Sequence, residues 1–465
     1  MKIFLNIILN TKKLRTKLRD NETLPSPILN AMPVTDTCRQ TALDLINFID
    51  ASPTPWHAVA TMESQLLTAG FTRLHETARW QLAAGGKYFV ARGGASLVAF
   101  IVGTDPLADA GLRLVGAHTD SPGLRLKPQP ALKGDGLLRL AVEVYGGPIL
   151  ATFADRDLSL AGRIVARSPS GTETRLLRFD TPLLRLPNLA IHMNRDVNEQ
   201  GLKFNKQTEL PLMLGSLGEG EDAALHLHQL LAEAAQIATA DLLSWELAAY
   251  DTQPGCLWGL DEAFIASRQL DNLASCHAAL QALIATQAPA PTCVAGFFDH
   301  EEVGSESATG AGGSFLADVL ARIATAAGLD DEDRRRAHAQ SFFISADMAH
   351  AYQPNFPNAY EPGHKVRMNG GPVIKTNANQ RYTSNAETAA RFKRHCEQAG
   401  VPCQQYAHRA DLGCGSTIGP MVAAQLGIPG VDVGSPLWAM HSIRESAGVQ
   451  DHAAMIAALT AGYAA

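Results

Sequence analysis

Apolar segments separated by helical patterns run along most of the chain. Positions 37–49 (TCRQTALDLINFI) have apolar residues at helical spacing, and the two prolines of the following SPTPW end that helix. Seven later segments have the length and composition of strands: YFVA (88–91), SLVAFIV (96–102), LRLVGA (112–117), CVAGFF (293–298), SFFISA (341–346), PVIKTN (372–377) and GVDVGS (430–435). Because they alternate with helical sequence, they predict an α/β domain with a mixed sheet flanked by helices on both faces.

The sequence between positions 128 and 258 has a different pattern. Short alternating stretches such as LLRLAVEVYGG (137–147) are joined by turn-rich connections, which predicts a mainly antiparallel β domain. We interpret residues 128–258 as an insertion into an α/β domain formed by residues 37–127 and 259–465. Patterned sequence begins near Thr37, so residues 1–36 are predicted to be a disordered or non-native extension.

Composition narrows the classes of protein that need to be considered. The chain has 465 residues, of which 46% are hydrophobic, and a formal net charge of −7, so no basic field points to nucleic acid. The seven cysteines are scattered and form no C-x-x-C pair, which favours a reducing, cytoplasmic setting over a disulfide framework. No segment approaches the roughly 20 apolar residues of a membrane span, and the start lacks the pattern of an export signal.

Side chains that commonly bind metals follow several of the predicted strands. His118 comes after LRLVGA, Glu301 and Glu302 come shortly after CVAGFF, and Asp347 comes directly after SFFISA. His441 follows GVDVGS at a short distance. Because the carboxyl ends of strands in an open α/β sheet line one crevice, we expect these groups to converge there.

Each of these residues also has an ordinary structural interpretation. The acidic run DHEE (299–302) could be a solvated loop, His118 a structural histidine, and Asp271 a helix N-cap. Two features favour a metal site: three carboxylates after a buried strand need a cation or strong hydrogen-bond donors to compensate them, and Asp120 can orient a metal-bound His118. Adjacent glutamates point in different directions, so one of them can bind a metal while the other faces a substrate as a base.

Ten segments of the chain resemble the aspartyl aminopeptidase family of co-catalytic zinc metallopeptidases, in the family's order. They extend from about Thr37 to the C-terminus and include GAHTDSPGLRLKP, VEVYGGPI, ADRDLSLAGR, PNLAIHMNRDVNE, RQLDNLAS, FFDHEEVGSES, SADMAHA, GPVIKTNANQRYTS, CGSTIGP and DVGSPLWAMHSIRE. The resemblance implies a zinc-peptidase-like catalytic domain and an inserted domain that serves oligomerisation.

The resemblance also implies a role for each candidate residue. His118 and Asp347 would hold one zinc ion, Glu302 and His441 the other, and Asp271 would bridge the two. Manganese or cobalt could replace zinc at one site. The catalytic residues would be Glu301, as general base and acid, and Asp120. The peptide bond from Asp271 to Asn272 would be cis.

Substrate contacts are implied as well, at His192, His350, Lys375 and Tyr382. The implied substrates are peptides with a free N-terminus, and Lys375 would pair with an N-terminal Asp or Glu. His192 would reach the site of a neighbouring subunit in a homo-oligomer, a tetrahedral dodecamer. The chain departs from the family's usual residues at Gln353, Ala410 and Thr376.

Two alternative functions remain to be separated from this one. Related two-metal amidohydrolases cleave acylated amino acids with similar ligands, but they lack the segments near 187–200 and 372–384. A non-catalytic binding or scaffold protein could also retain a peptidase fold. A panel of N-terminal amino acid amides and N-acyl amino acids, assayed together with the metal content, separates the three.

Overall fold

The computed structural model describes residues 34–465, so most of the predicted extension, residues 1–36, lies outside the described residues. The first described helix begins at Asp36, and the Thr35 hydroxyl caps it by accepting a hydrogen bond from the Cys38 amide at 3.2 Å. The described residues form eleven α-helices: α1 (Asp36–Asp50), α2 (Pro55–Thr68), α3 (Leu107–Ala110), α4 (Val197–Gln200), α5 (Ala223–Ala234), α6 (Leu270–Ala285), α7 (Phe315–Ala326), α8 (Asp331–Ala339), α9 (Ala386–Ala399), α10 (Ile418–Leu426) and α11 (Val449–Ala464).

The same residues form twenty strands in three sheets. In chain order they are β1 (Thr72–Arg73), β2 (Lys87–Arg92), β3 (Ser96–Ile101), β4 (Leu112–His118), β5 (Gly123–Gly134), β6 (Leu137–Tyr145), β7 (Leu158–Ser168), β8 (Gly171–Arg178), β9 (Leu212–Ser216), β10 (Leu242–Asp251), β11 (Cys256–Trp258), β12 (Phe264–Ser267), β13 (Thr292–Phe298), β14 (Phe342–Ala346), β15 (Ala349–His350), β16 (Val373–Thr376), β17 (Gln404–Ala407), β18 (Gly430–Gly434), β19 (Pro436–Trp438) and β20 (Glu445–Gly448).

The largest sheet has nine strands in the order β1-β2-β3-β13-β4-β14-β18-β16-β17. Its central strands β13, β4, β14 and β18 are parallel, whereas β3 and β16 run antiparallel to their central neighbours. Every residue of β13, β14 and β18 is buried, as expected for strands covered on both faces. The predicted mixed sheet is therefore confirmed.

Helices cover both faces of this sheet, because side chains along each strand alternate between two cores. In β13, Ala295 and Phe297 join the core formed with α1, α6, α9 and α11, whereas Val294 and Phe298 join the core formed with α7 and α10. The period-2 alternation of a strand sends successive side chains to opposite faces. The predicted helix layers on both faces are also confirmed.

The second sheet has six antiparallel strands in the order β8-β7-β10-β5-β6-β9. It has its own apolar core, in which Leu140, Leu160 and Leu247 pack with Leu227 and Leu231 of α5. This is the mainly antiparallel β module expected from the alternating sequence. Its first strand begins at Gly123, and the division of the chain at 127/128 and 258/259 stays a prediction.

A third sheet, β11-β12-β20-β19-β15, joins the C-terminal region to the strands just before α6. Its strands have two to four residues, too few for a periodic pattern to reveal them in the sequence. The connection between β19 and β20 carries His441, so this sheet brings the C-terminal histidine towards α6. None of the helices within residues 34–465 is both long enough and apolar enough to cross a membrane.

Candidate metal centre

The predicted site residues meet at the carboxyl ends of the central parallel strands. His118 is the last residue of β4 and lies opposite Phe298, the last residue of β13. A short 3-10 turn, Glu301–Val303, follows β13, and Asp347 follows β14 directly. The parallel register therefore places these segments side by side, as the strand-end argument predicted.

Asp271 lies between the two histidines. Its Oδ1 is 3.4 Å from His118 Nε2, and its Oδ2 is 3.5 Å from His441 Nε2. On the first side, Asp347 Oδ1 is 3.5 Å from His118 Nε2. On the second, Glu302 Oε1 is 3.4 Å from His441 Nε2. Each histidine thus faces Asp271 and one further carboxylate.

The donor set fits zinc ions. Two overlapping groups have ligand atoms within 4.8 Å of one another: His118, Asp271 and Glu302, and His118, Glu301 and Asp347. Asp271 Oδ1 and Glu302 Oε1 are buried without a hydrogen-bond partner. Unpartnered buried carboxylate oxygens are costly, and oxygen and imidazole ligands suit zinc. The second group includes Glu301, so the geometry alone does not separate a base from a ligand.

The pKa values of these groups reflect their burial and the crowding of the carboxylates. Burial raises the pKa of Glu301 to about 8 and that of Glu302 well above its usual value. Burial alone would lower the pKa of His441, but hydrogen bonding to Asp271 and the charge of Glu302 raise it to about 10. Metal ligands bind in their deprotonated form, so binding of a divalent cation here would release protons.

Asp120 lies beneath the site and is fully buried. Its Oδ1 accepts a hydrogen bond from the Glu301 amide and its Oδ2 one from the Glu302 amide, both at 3.1 Å. The same Oδ1 is 3.3 Å from His118 Nδ1, which leaves Nε2 of that ring facing Asp271. The Asp120 carbonyl oxygen is closer to the same nitrogen, at 3.0 Å. Asp120 also fixes the turn that carries both glutamates, and its role in orienting a metal-bound His118 stays a prediction.

The structure does not use Asp271 as a helix cap. Gln269 occupies the N-cap position of α6, and the Asp271 side chain points to the histidines. The Asp271–Asn272 peptide bond is cis, as the resemblance implied. The Ser121 hydroxyl donates a hydrogen bond to the Asp271 carbonyl oxygen at 2.6 Å.

Glu445, which the sequence analysis missed, holds two of the candidate ligands by their backbone. It is 2% exposed, and its Oε2 accepts from the Asp271 amide at 2.9 Å while its Oε1 accepts from the His441 amide at 2.7 Å. The only signal in the sequence is a carboxylate four positions after His441. Opposite, the Gly147 carbonyl oxygen lies 3.0 Å from His441 Nδ1, which leaves Nε2 for a metal.

A cavity of about 340 Å³ opens above these groups. Three of the four predicted substrate-contacting residues line it: His350, Lys375 and Tyr382. The ammonium of Lys375 donates to Asp347 Oδ2 at 3.4 Å and to the Met348 carbonyl at 3.1 Å. Burial and the nearby Lys375 lower the pKa of His350 to about 4, so this imidazole is neutral at pH 7.

The fourth, His192, is exposed in the 3-10 turn Ile191–Met193 and does not line the cavity of its own chain. Its neighbours Leu189, Ile191 and Met193 are 67%, 47% and 76% exposed. That His192 enters a neighbouring subunit's site stays a prediction.

The chain is similar in sequence to proteins of a known family. Over 422 residues the chain is 48% identical to "Probable M18 family aminopeptidase 2" of Stutzerimonas stutzeri, which covers 90% of this chain and 97% of the relative. The corresponding protein of Pseudomonas aeruginosa is 48% identical over 425 residues, with the same coverage.

Two solved structures are similar over nearly the whole chain. A chain in the cryo-EM structure of the Ape4 and Nbr1 complex is 37% identical, with a TM-score of 0.89 over 92% of this chain and 86% of that chain. The S. cerevisiae mApe1 dodecamer is 27% identical, with a TM-score of 0.79 over 90% and 95%. The profile described as "Aminopeptidase I zinc metalloprotease (M18)" matches residues 48–463. The chain therefore belongs to the M18 family of zinc metalloproteases.

Proposed function

We propose that this protein is a metal-dependent aminopeptidase that removes the N-terminal residue from peptides at two zinc ions. The observation that carries the proposal is Asp271 between two histidines, with an unpartnered buried oxygen and a cavity above it. His118 and Asp347 would hold one ion, Glu302 and His441 the other, and Asp271 would contact both. Bound zinc supplies Lewis acidity that polarises a carbonyl and lowers the pKa of water.

Glu301 is the residue that we propose moves the proton. Its Oε2 is 3.9 Å from His118 Nε2, farther than the nearest oxygens of Asp271 and Asp347. From that position its carboxylate takes a proton from the attacking water and returns it to the leaving amine. Asp120 contributes by fixing the backbone of Glu301, so that the base is oriented before a substrate arrives.

Lys375 is the group that we propose selects an acidic first residue. Among the described residues that line the cavity it is the only lysine or arginine. It is 2% exposed and its ammonium lies 5.1 Å from the Tyr382 ring centre, so the charge is held in a fixed place. A substrate carboxylate at this end of the cavity would meet a partly desolvated cation, which favours N-terminal Asp or Glu.

We also propose that the working form is a homo-oligomer, a tetrahedral dodecamer in the cytoplasm. The similarity to the S. cerevisiae mApe1 dodecamer supports assembly, and the exposed Leu189, Ile191 and Met193 beside His192 provide an apolar contact surface. All seven cysteines lie among the described residues and are free thiols, which suits a reducing compartment.

Removal of metal tests the proposed function directly. Dialysis against a chelator is expected to abolish hydrolysis of N-terminal amino acid amides, and zinc should restore it with two ions bound per chain. Manganese or cobalt should also restore hydrolysis by replacing zinc at one of the two sites. The measurements are hydrolysis rates and metal content, with N-acyl amino acids as the control substrates. Full activity after complete removal of divalent ions would contradict the proposal.

Glu301→Gln is expected to bind zinc as the wild type does but to lose about 10²–10⁴-fold in kcat, because the general base and acid is gone. Metal analysis and steady-state kinetics check this. Glu306→Gln is the matched control, since Glu306 is an exposed glutamate of the same loop. A Glu301→Gln enzyme that keeps most of its turnover would remove Glu301 from the mechanism.

Lys375→Ala is expected to lower kcat/KM for a peptide with N-terminal Asp by about 10- to 100-fold more than for one with N-terminal Ala, the loss of one charge-assisted hydrogen bond. Comparing two substrates on one variant cancels any general damage to the site. Lys365→Ala, which changes an exposed lysine, should leave the ratio unchanged. Equal losses on both substrates would refute selection by Lys375.

His192→Ala chains are expected to be nearly inactive alone, and mixing them with inactive Glu301→Gln chains before assembly should restore hydrolysis. In a mixed oligomer, a site with an intact Glu301 can receive the intact His192 of its neighbour. The readout is activity against the mixing ratio, and Glu301→Gln chains mixed with wild type provide the reference. If mixing restores nothing, His192 does not act across subunits.

A further inference from the structure

We propose that Tyr145, at the end of β6 in the six-stranded sheet, is a positioning residue that sets the geometry of the metal centre through Asp120. Its hydroxyl donates a hydrogen bond to Asp120 Oδ2 at 2.6 Å. Tyr145 is not among the residues that line the cavity, and its hydroxyl binds Asp120 rather than a proposed ligand, so it would act through Asp120. The proposal rests on the metal site described above and adds a residue from a different sheet.

Asp120 would transmit the effect of Tyr145 to the residues of the metal centre. One carboxylate holds the amides of Glu301 and Glu302 and approaches the ring of His118. Both of its oxygens must keep their orientation for the three contacts to persist together. The Tyr145 hydroxyl, bound to Oδ2 alongside the Glu302 amide, limits rotation of the carboxylate.

The Tyr145 ring is itself fixed by the neighbouring strand. The guanidinium carbon of Arg125, on β5, lies 3.5 Å from the ring centre, a close cation-π contact. The register of β5 against β6 places Gly123 opposite Tyr145 and Arg125 opposite Glu143. The hydroxyl therefore reaches Asp120 from a ring whose position is determined by the six-stranded sheet.

The residues directly after Tyr145 contact the other half of the metal centre. The Gly147 carbonyl oxygen lies 3.0 Å from His441 Nδ1. Gly146 has φ +64°, and a Cβ added there would lie 3.1 Å from Glu302 Cβ. The strand end thus approaches two proposed ligands of one ion, His441 and Glu302, as expected if the six-stranded sheet holds the centre in shape.

The test is Tyr145→Phe, which removes the hydroxyl and keeps the ring. Zinc affinity, measured by competition with a chromophoric chelator, is expected to fall about 10- to 100-fold, as for other partners of metal ligands. At saturating zinc, kcat should fall about 10-fold while KM changes little. The matched control is Tyr250→Phe, because the Tyr250 hydroxyl of the same sheet donates to the Phe179 carbonyl at the same 2.6 Å.

Indistinguishable zinc affinity and kcat in the two variants would overturn the proposal. A double-mutant cycle guards against a general loss of stability: in Asp120→Asn, adding Tyr145→Phe should cause little further loss of zinc affinity, whereas additive losses would overturn the proposal. Zinc affinity is measured without a substrate. A wild type that binds zinc but hydrolyses no peptide would therefore refute the proposed function and leave the role of Tyr145 standing.

Discussion

The structure of the site depends on compensating the electrostatic cost of bringing buried carboxylates together. Asp271, Glu302 and Asp347 converge on two imidazoles, with Glu301 alongside and Asp120 beneath. Without compensation, such groups repel one another and lose hydration. Burial among these groups raises the pKa of Glu301 to about 8, which reflects the cost of a negative charge there. A pair of cations removes the same repulsion while leaving the carboxylates ionised, so the arrangement is suited to metal.

The strand-end argument predicted much of this site because parallel strands convert positions in the sequence into positions in space. Ser345 on β14 lies opposite Gly116 on β4, so the residues two positions later, Asp347 and His118, emerge at the same edge. The alternation of apolar residues likewise predicted a sheet between two helical layers, which is confirmed. The pattern alone could not assign roles to Glu301 and Asp271, and those expectations came from the family resemblance.

What sequence reasoning missed are contacts in which a side chain holds a distant backbone. Glu445 binds the amide of Asp271 across 174 positions, and it also binds the amide of His441. Such hydrogen bonds require neither periodicity nor a particular spacing, because the backbone amide is present at every residue except proline. The small sheet that carries Glu445 has strands of two to four residues, which leave no pattern either.

The candidate metal ligands are held by long-range buried contacts, whereas Gln353, outside the cavity, is held by a local one. The candidate ligands are held by buried carboxylates and by close backbone packing, and a Cβ added at Gly434 would lie 1.9 Å from the Asp347 carbonyl oxygen. Gln353, where the chain departs from its family, does not line the cavity, and its side chain accepts a bond from the Asn355 amide at 2.7 Å. Because that bond is local, position 353 can change without moving a ligand. Position 353 can therefore vary while the buried network keeps the candidate ligands in place.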